Sequence, residues 1–405
     1  MTVQQTSNLS NSIRTQYVAD YLDRVYSQRL YDQIASPVGG ISPEQAIQGS
    51  AVQVPYLSSM NITTTTISQT ADMTPQILYD AVASTSVTSR GEALQWAEAL
   101  DIEVYTDYAQ RRIAKIADNA AESLELVAIN AAVNGSFVER AAARASLDAG
   151  TASHRASDSI FRKMHGRLLS LRVPGFINER MEANVWAAIM HPFVFHDISE
   201  SGNVDAIGTY QDMGIHLNFE LAQVGPFRLL VSPNAKVFFG AGLANANTFV
   251  TSMATATSPL NVAFTLTDTP TNATGCFNVP FTIGTLETST TLYPTNEQIM
   301  ISSAVTDTVC DVFVGIGENG GLRFAHAATD TIVNSDSVYT IVFGGPESLY
   351  KVYAPSVGEF GDIVGPKTSG LAEQFSSVAW KWYGNYGRLT ENRILRGEFS
   401  TSYEA

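Results

Sequence analysis

A chain of 405 residues, 45% of them apolar, is long enough for two or three structural units and too hydrophobic to be disordered. Its formal charge of −15, from 24 Lys and Arg against 39 Asp and Glu, argues against free nucleic acid as a ligand, because neutralising phosphates takes clustered cations. No apolar run of about 18 residues occurs and residues 1–10 are polar and uncharged, so neither a membrane span nor an export signal is expected.

Residues 12–34 have helical spacing, with Tyr17, Tyr21 and Val25 beside Leu22, Tyr26 and Leu30, and Pro37, Gly39 and Gly40 end the segment. The tyrosines suit an interface helix or an ordinary core helix. From Gln45 to Ala71 there is no charged residue, and Val52, Val54, Met60 and Ile62 stand among threonines. That composition predicts a strand, and residues 76–87 predict a second one, with a polar tip at 68–75. Such a hairpin is marginal alone, so its uncharged flanks predict another surface over it, in this chain or a neighbouring subunit.

Asp101 to Val133 gives the longest helix signal, with Ile113, Ile116, Ala120, Leu124, Val127 and Ala131 on one stripe. Asp101, Glu103 and Asp107 sit near its start and Asn134-Gly135 stops it. Arg111-Arg112 with Lys115, the longest basic cluster, reads as a helix face rather than a binding groove. Residues 157–172 predict a second helix with Ile160, Met164, Leu168 and Leu171 inside. A strand from Val185 to Met190 runs into His191-Pro192 and a short helical turn to Asp197. Strands are expected at 215–222 and 227–231.

Between Lys236 and Lys351 the only Lys or Arg is Arg323, threonine is dense, and residues 240–335 read as an all-β insertion. Its two cysteines, Cys276 and Cys310, fit a reducing compartment as buried thiols, with a disulfide as the alternative. Strands return at 338–343 and 349–353. Val378, Trp380 and Trp382 then alternate with polar residues, the mark of a long half-buried strand, and Ile394 to Phe399 begins another.

The residues do not assemble into a recognisable catalytic, cofactor or metal site. Gly315-Ile316-Gly317-Glu318-Asn319-Gly320 follows a strand but leads into alternating residues instead of the helix that phosphate binding needs. His191 and His196 are five apart, where a helical zinc pair wants three or four with a carboxylate. A spatial pair of carboxylates escapes sequence reading.

Three patterns in order carry a resemblance. They are Asn184 to Pro192 with Asp197; Gly208-Thr209-Tyr210 through Gly225-Pro226-Phe227 to Ser232-Pro233; and Trp380-Lys381 followed by Arg393-Ile394-Leu395-Arg396-Gly397. Together with the element order, they make the chain resemble tailed-bacteriophage major capsid proteins, particularly the podovirus type, over nearly everything outside 240–335. The resemblance implies an α+β, Hong Kong 97-like major capsid fold with an all-β insertion domain. It implies an N-terminal arm at 1–50, an E-loop hairpin at 51–97, a spine helix and P-domain at 98–180, and an A-domain at 181–239 and 336–374. Residues 240–335 are then the insertion, and 375–405 the closing P-domain and A-domain strands.

The implied function is assembly without catalysis or cofactors: hexamers and pentamers of an icosahedral head enclosing double-stranded DNA. Portal protein, scaffolding and decoration or cement proteins are the other implied partners, with no membrane. Assembly candidates are Tyr17, Tyr21, Tyr26, Val52, Val54, Met60, Ile62, Trp380 and Trp382. The arm to about residue 40 is expected to matter for shells and not for folding. Residues 1–114 contain no lysine, so the hairpin cannot supply the amine of the isopeptide bond that welds some relatives. An encapsulin-type compartment is the first alternative, and a β-rich carbohydrate-active enzyme or adhesin the second.

Overall fold

In the computed structural model the described residues are 29–37, 51–57, 60, 62, 75–97, 108–178, 183–200, 204–206, 220–239, 241–243, 336–354, 357–369, 375–388 and 390–404, with the backbone of six strands between 251 and 333. The chain divides into two compact units, Met1–Ala131 with Pro346–Thr390, and Ala132–Gly345 with Glu391–Ala405.

The first unit is built around the strand Phe375–Gly387. Thr88–Ala97 pairs along one edge of it, and Asp362–Ser369 and Leu349–Tyr353 share the other, all antiparallel. Its period-two pattern is realised: Val378, Trp380, Trp382 and Tyr386 are buried on one face. Helix α1, Tyr108–Val133, buries Ile113, Ile116, Ala117, Ala120, Ala121 and Leu124, and the alanines in that stripe let it lie close to its neighbours. Trp380 donates its indole Nε1–H to Asn119 of α1 at 2.9 Å, and the Arg112 guanidinium lies 4.3 Å from the Trp96 ring centroid. Asp101, Glu103 and Asp107 precede α1 and lie outside the described residues.

The helix expected over 12–34 needs correction at its end. Tyr31–Ile34 is a 3₁₀ turn, and Ala35–Pro37 is a strand parallel to Leu349–Lys351. Helical periodicity gives way there because the sheet offers this backbone a ladder, and Pro37 closes it at an edge where its missing N–H costs little.

The second unit holds a nine-stranded sheet. Its main path runs Val138–Arg140, Ile394–Phe399, Val338–Gly344, Ala183–Met190, Phe227–Val231, Glu220–Val224, Asp205–Ala206. Helices α2, Asp158–Ser170, and α3, Pro192–Glu200, pack against it. Phe161 of α2 meets Phe227 and Phe343 edge-on, with centroids 5.7 and 5.5 Å apart. Pro192 opens α3 at the one position where its missing donor is harmless, so the His-Pro pattern reads correctly as a strand end followed by a helix start. The two sheets also divide stretches that the sequence reading kept together. Val338–Gly344 lies in the nine-stranded sheet, while Leu349–Tyr353 and Asp362–Ser369 lie in the five-stranded one.

Between 251 and 333 six strands form a separate antiparallel sheet. Its flanks are stitched to each other: Gly242 N–H donates to Asp336 O at 2.7 Å, and Asp336 N–H to Leu243 O at 3.1 Å. Leu243 N–H reaches Leu147 O at 2.8 Å, and Ala149 N–H donates to the Asp336 carboxylate at 2.8 Å. A Cβ on Gly242 would lie 2.7 Å from Asp336 O and 2.8 Å from Leu147 O, both backbone atoms. Gly242→Ala is expected to lower stability by about 1–3 kcal/mol through this overpacking, read as a drop in urea midpoint.

Candidate functional site: an apolar hairpin and its anchorage

The chemistry-bearing surface of the first unit is a two-stranded ribbon. Ala51–Leu57 pairs antiparallel with Asp80–Ser86, from Ala51 opposite Ser86 to Leu57 opposite Asp80. At its foot Val52 is buried, and Val54, Ala83 and Val87 pack with it against Tyr350 and Val352. Away from the foot the described large apolar residues of the strands and of the segments leading from them are exposed: Ile62 is 91% exposed, Ile77 75%, and Leu57, Met60, Leu78, Tyr79 and Val82 are exposed too. A two-stranded ribbon gains little stability by itself, and apolar side chains gathered on it are a contact surface waiting for a cover.

The sequence-derived candidates therefore separate. Met60 and Ile62 lie on the bare surface, while Val52 and Val54 form the foot that holds the ribbon to its unit. Trp380 and Trp382 need correction: at 3% and 1% exposure they are core residues, unavailable to a neighbour. Their alternation marks the inward face of a strand, and each indole is spent inside the unit, Trp382 on Glu359 O at 3.1 Å. Tyr17, Tyr21 and Tyr26 lie outside the described residues.

Sequence reasoning missed the anchorage beside the foot, because its members are far apart in the chain. The Glu125 carboxylate of α1 accepts the backbone N–H groups of Leu30 and Tyr31 at 3.0 and 2.9 Å, capping the 3₁₀ turn. Asp32 receives Arg29 at 2.9 Å, Lys351 at 3.0 Å and the Tyr386 hydroxyl at 2.8 Å. Arg29 also bonds the Tyr386 hydroxyl, and Lys351 pairs with Glu359.

Burial pushes the Glu125 carboxyl up to about 7, against the lowering effect of the two N–H bonds and of Arg29. A carboxyl that holds its proton more tightly folded than unfolded contributes its full stability below its ordinary value of 4.5. That contribution is lost as pH rises toward 7. The loss is expected to be about 3 kcal/mol. Glu125→Gln keeps an oxygen for both N–H groups and should flatten this part of the profile in urea melts between about pH 5 and pH 8.

Among the described residues, His191 serves structure. It packs edge-on against Phe193 and tilted against Tyr339, with centroids 4.8 and 5.2 Å apart, and burial pushes its imidazole down to about 4, so it is neutral. His196, Asp197 and Glu200 offer ligand atoms within 4.8 Å of one another. Asp197 is committed to the end of the chain, however, accepting Ser402 N–H at 3.1 Å and bonding its hydroxyl.

No protein-family model matches the sequence. No curated protein matches it either. Among solved structures the chain is similar to the capsid of Ralstonia phage GP4, at 10% identity over 92% of each chain with a TM-score of 0.51. It is also similar to the capsid of Cyanophage P-SCSP1u, at 10% identity over 91% of this chain and 87% of that one with a TM-score of 0.49. The fold is the Hong Kong 97-like fold of phage capsids, an assignment that rests on the first of these.

Proposed function

We propose that this chain is the major capsid protein of a tailed phage of the podovirus type, assembling as hexamers and pentamers into an icosahedral head around double-stranded DNA. Its role is assembly, not catalysis. The observation that carries this is a bare apolar ribbon on a chain whose fold matches a phage capsid along 92% of its length. Closed homo-oligomers require patches that only another copy covers. On this reading the hairpin is the E-loop, α1 the spine helix, the five-stranded unit the P-domain and the nine-stranded unit the A-domain. The β insertion stands on the outer surface, where a decoration protein would meet it, and portal and scaffolding proteins are the remaining partners.

Ile62→Asp with Ile77→Asp is the test. Both side chains are already solvated, so the melting temperature should stay within about a degree, as for an ordinary surface change. Particle yield by electron microscopy should collapse. Particles formed at full yield by the double variant would refute the hairpin as the contact. With residues 1–114 free of lysine, particles boiled in detergent with reductant should release one band near 43.7 kDa. A covalent ladder would refute non-covalent closure.

A further inference from the structure

We propose that the solvent face of α2, with Arg172 beyond its end, is a docking surface for the phosphate backbone of duplex DNA. Duplex DNA is chosen over other polyanions on the capsid reading above, and the cations clustered on this face depart from the expectation, drawn from net charge, that free nucleic acid is not a ligand. The face carries four cations, Arg162, Lys163, Arg167 and Arg172, against the carboxylates of Asp158 and Glu139, a local charge of +2 in a chain of −15. On α2 the side chains of Arg162, Lys163 and Arg167 are 75%, 55% and 43% exposed. Among the described residues two carboxylates answer them, and both are recessed. Asp158 lies 2.6 Å from Arg162, and Glu139 takes both Lys163 and Arg167, the latter at 2.5 Å. These carboxylates hold the cations in place without neutralising the face, and each guanidinium has five N–H donors to share between a carboxylate and a phosphate.

Two locally unfavourable choices point the same way. Gly166 sits mid-helix among these cations, in the weakest helix former short of proline, although a Cβ there would meet nothing within 4 Å. Arg172 has φ +54°, closing α2 in a Schellman turn. In that turn Val173 N–H donates to Leu168 O at 3.0 Å, and Arg172 N–H to Leu169 O at 3.0 Å. That position normally takes glycine. Gly166 leaves open space for close approach, and Arg172 adds a cation at a turn position that glycine would fill with less strain. From Arg162 to Arg172 the face runs about 15 Å, the length of four or five base pairs. Leu169 is its one exposed large apolar side chain, so it lacks the apolar core that a protein partner would need.

The test is fluorescence anisotropy of a labelled duplex of about 30 base pairs with the full-length protein. Four neutralised phosphates predict that affinity falls about 100-fold between 50 and 200 mM salt. The triple variant Arg162→Gln, Lys163→Gln, Arg172→Gly should lose at least about tenfold at low salt and most of the salt slope. Arg172→Gly alone should weaken binding while the melting temperature holds or rises, since glycine is at ease at that φ. Lys367→Gln with Lys381→Gln, which removes charge from the other unit, should change nothing. Binding that is absent, or unaltered in the triple variant, overturns the proposal. So does polyglutamate outcompeting DNA at these residues, which would mark an acidic protein as the partner. Particles are scored on the same preparations: particles indifferent to DNA overturn this inference alone, and DNA binding by a chain that never assembles overturns the capsid reading alone.

Discussion

A chain lacking residues 1–37 is expected to lose the folded state of the five-stranded unit, while one beginning at Gln28 keeps it. Burial at its root argues against the expectation that the whole arm is dispensable for folding. Leu30, Tyr31 and Ile34 are each at most 1% exposed, and burying three such side chains is worth about 6 kcal/mol. That is comparable to the entire stability of a typical domain. Deletion also strips the edge strand Ala35–Pro37 and leaves Glu125 buried with no N–H to accept and Lys351 without Asp32. Circular dichroism and urea unfolding of both truncations decide the matter. A cooperative transition of undiminished midpoint in the longer deletion would show that residues 29–37 only decorate the sheet.

The second large effect concerns Glu398 in the nine-stranded unit. Its side chain is fully buried, yet it sits among three arginines: Arg144 at 2.7 Å, Arg396 at 3.1 Å, and Arg140. Burial alone would raise the carboxyl, but hydrogen bonds from Arg144 and Arg140 and the charge of Arg396 hold it below the usual glutamate range. Glu398→Gln would remove the carboxylate charge that the three guanidinium groups share. The expected cost is about 3–5 kcal/mol, the usual penalty for removing one partner from a buried ion pair. A carboxyl depressed in the folded state contributes stability above its unfolded value, and that contribution is lost as pH falls through its folded one. The gap between wild type and Glu398→Gln should therefore be full at neutral pH and close in acid. A gap that widens in acid would show that the arginines are not held by this charge.

Where a few neighbouring residues sufficed, the sequence was legible. The stripe of Ile113, Ile116, Ala120 and Leu124, the alternation of Val378, Trp380 and Trp382, the Pro192 helix start and the uncharged stretch around Val52 to Ile62 each reflect a local period or turn rule. Each corresponds to an element of the structure, the last of them over Ala51–Leu57. The order of those elements was enough to suggest the fold, because a fold is largely an order of faces that need covering.

What the sequence by itself determined was thus many of the segments that are strands or helices, the apolar face of several of them, and that no lysine precedes Lys115. Only the tertiary structure decided which apolar residues are spent and which are spare. Trp382 and Ile62 look equally hydrophobic in the chain, yet one is sealed in a sheet and the other is bare, because exposure depends on what folds over a residue. The same holds for charge. Glu125 meets the backbone of Leu30 and Tyr31 across some ninety residues, and Glu398 meets Arg140 and Arg144 across more than two hundred and fifty. Burial and long-range pairing set the protonation and worth of these carboxylates, and neither is a property of any local stretch of sequence.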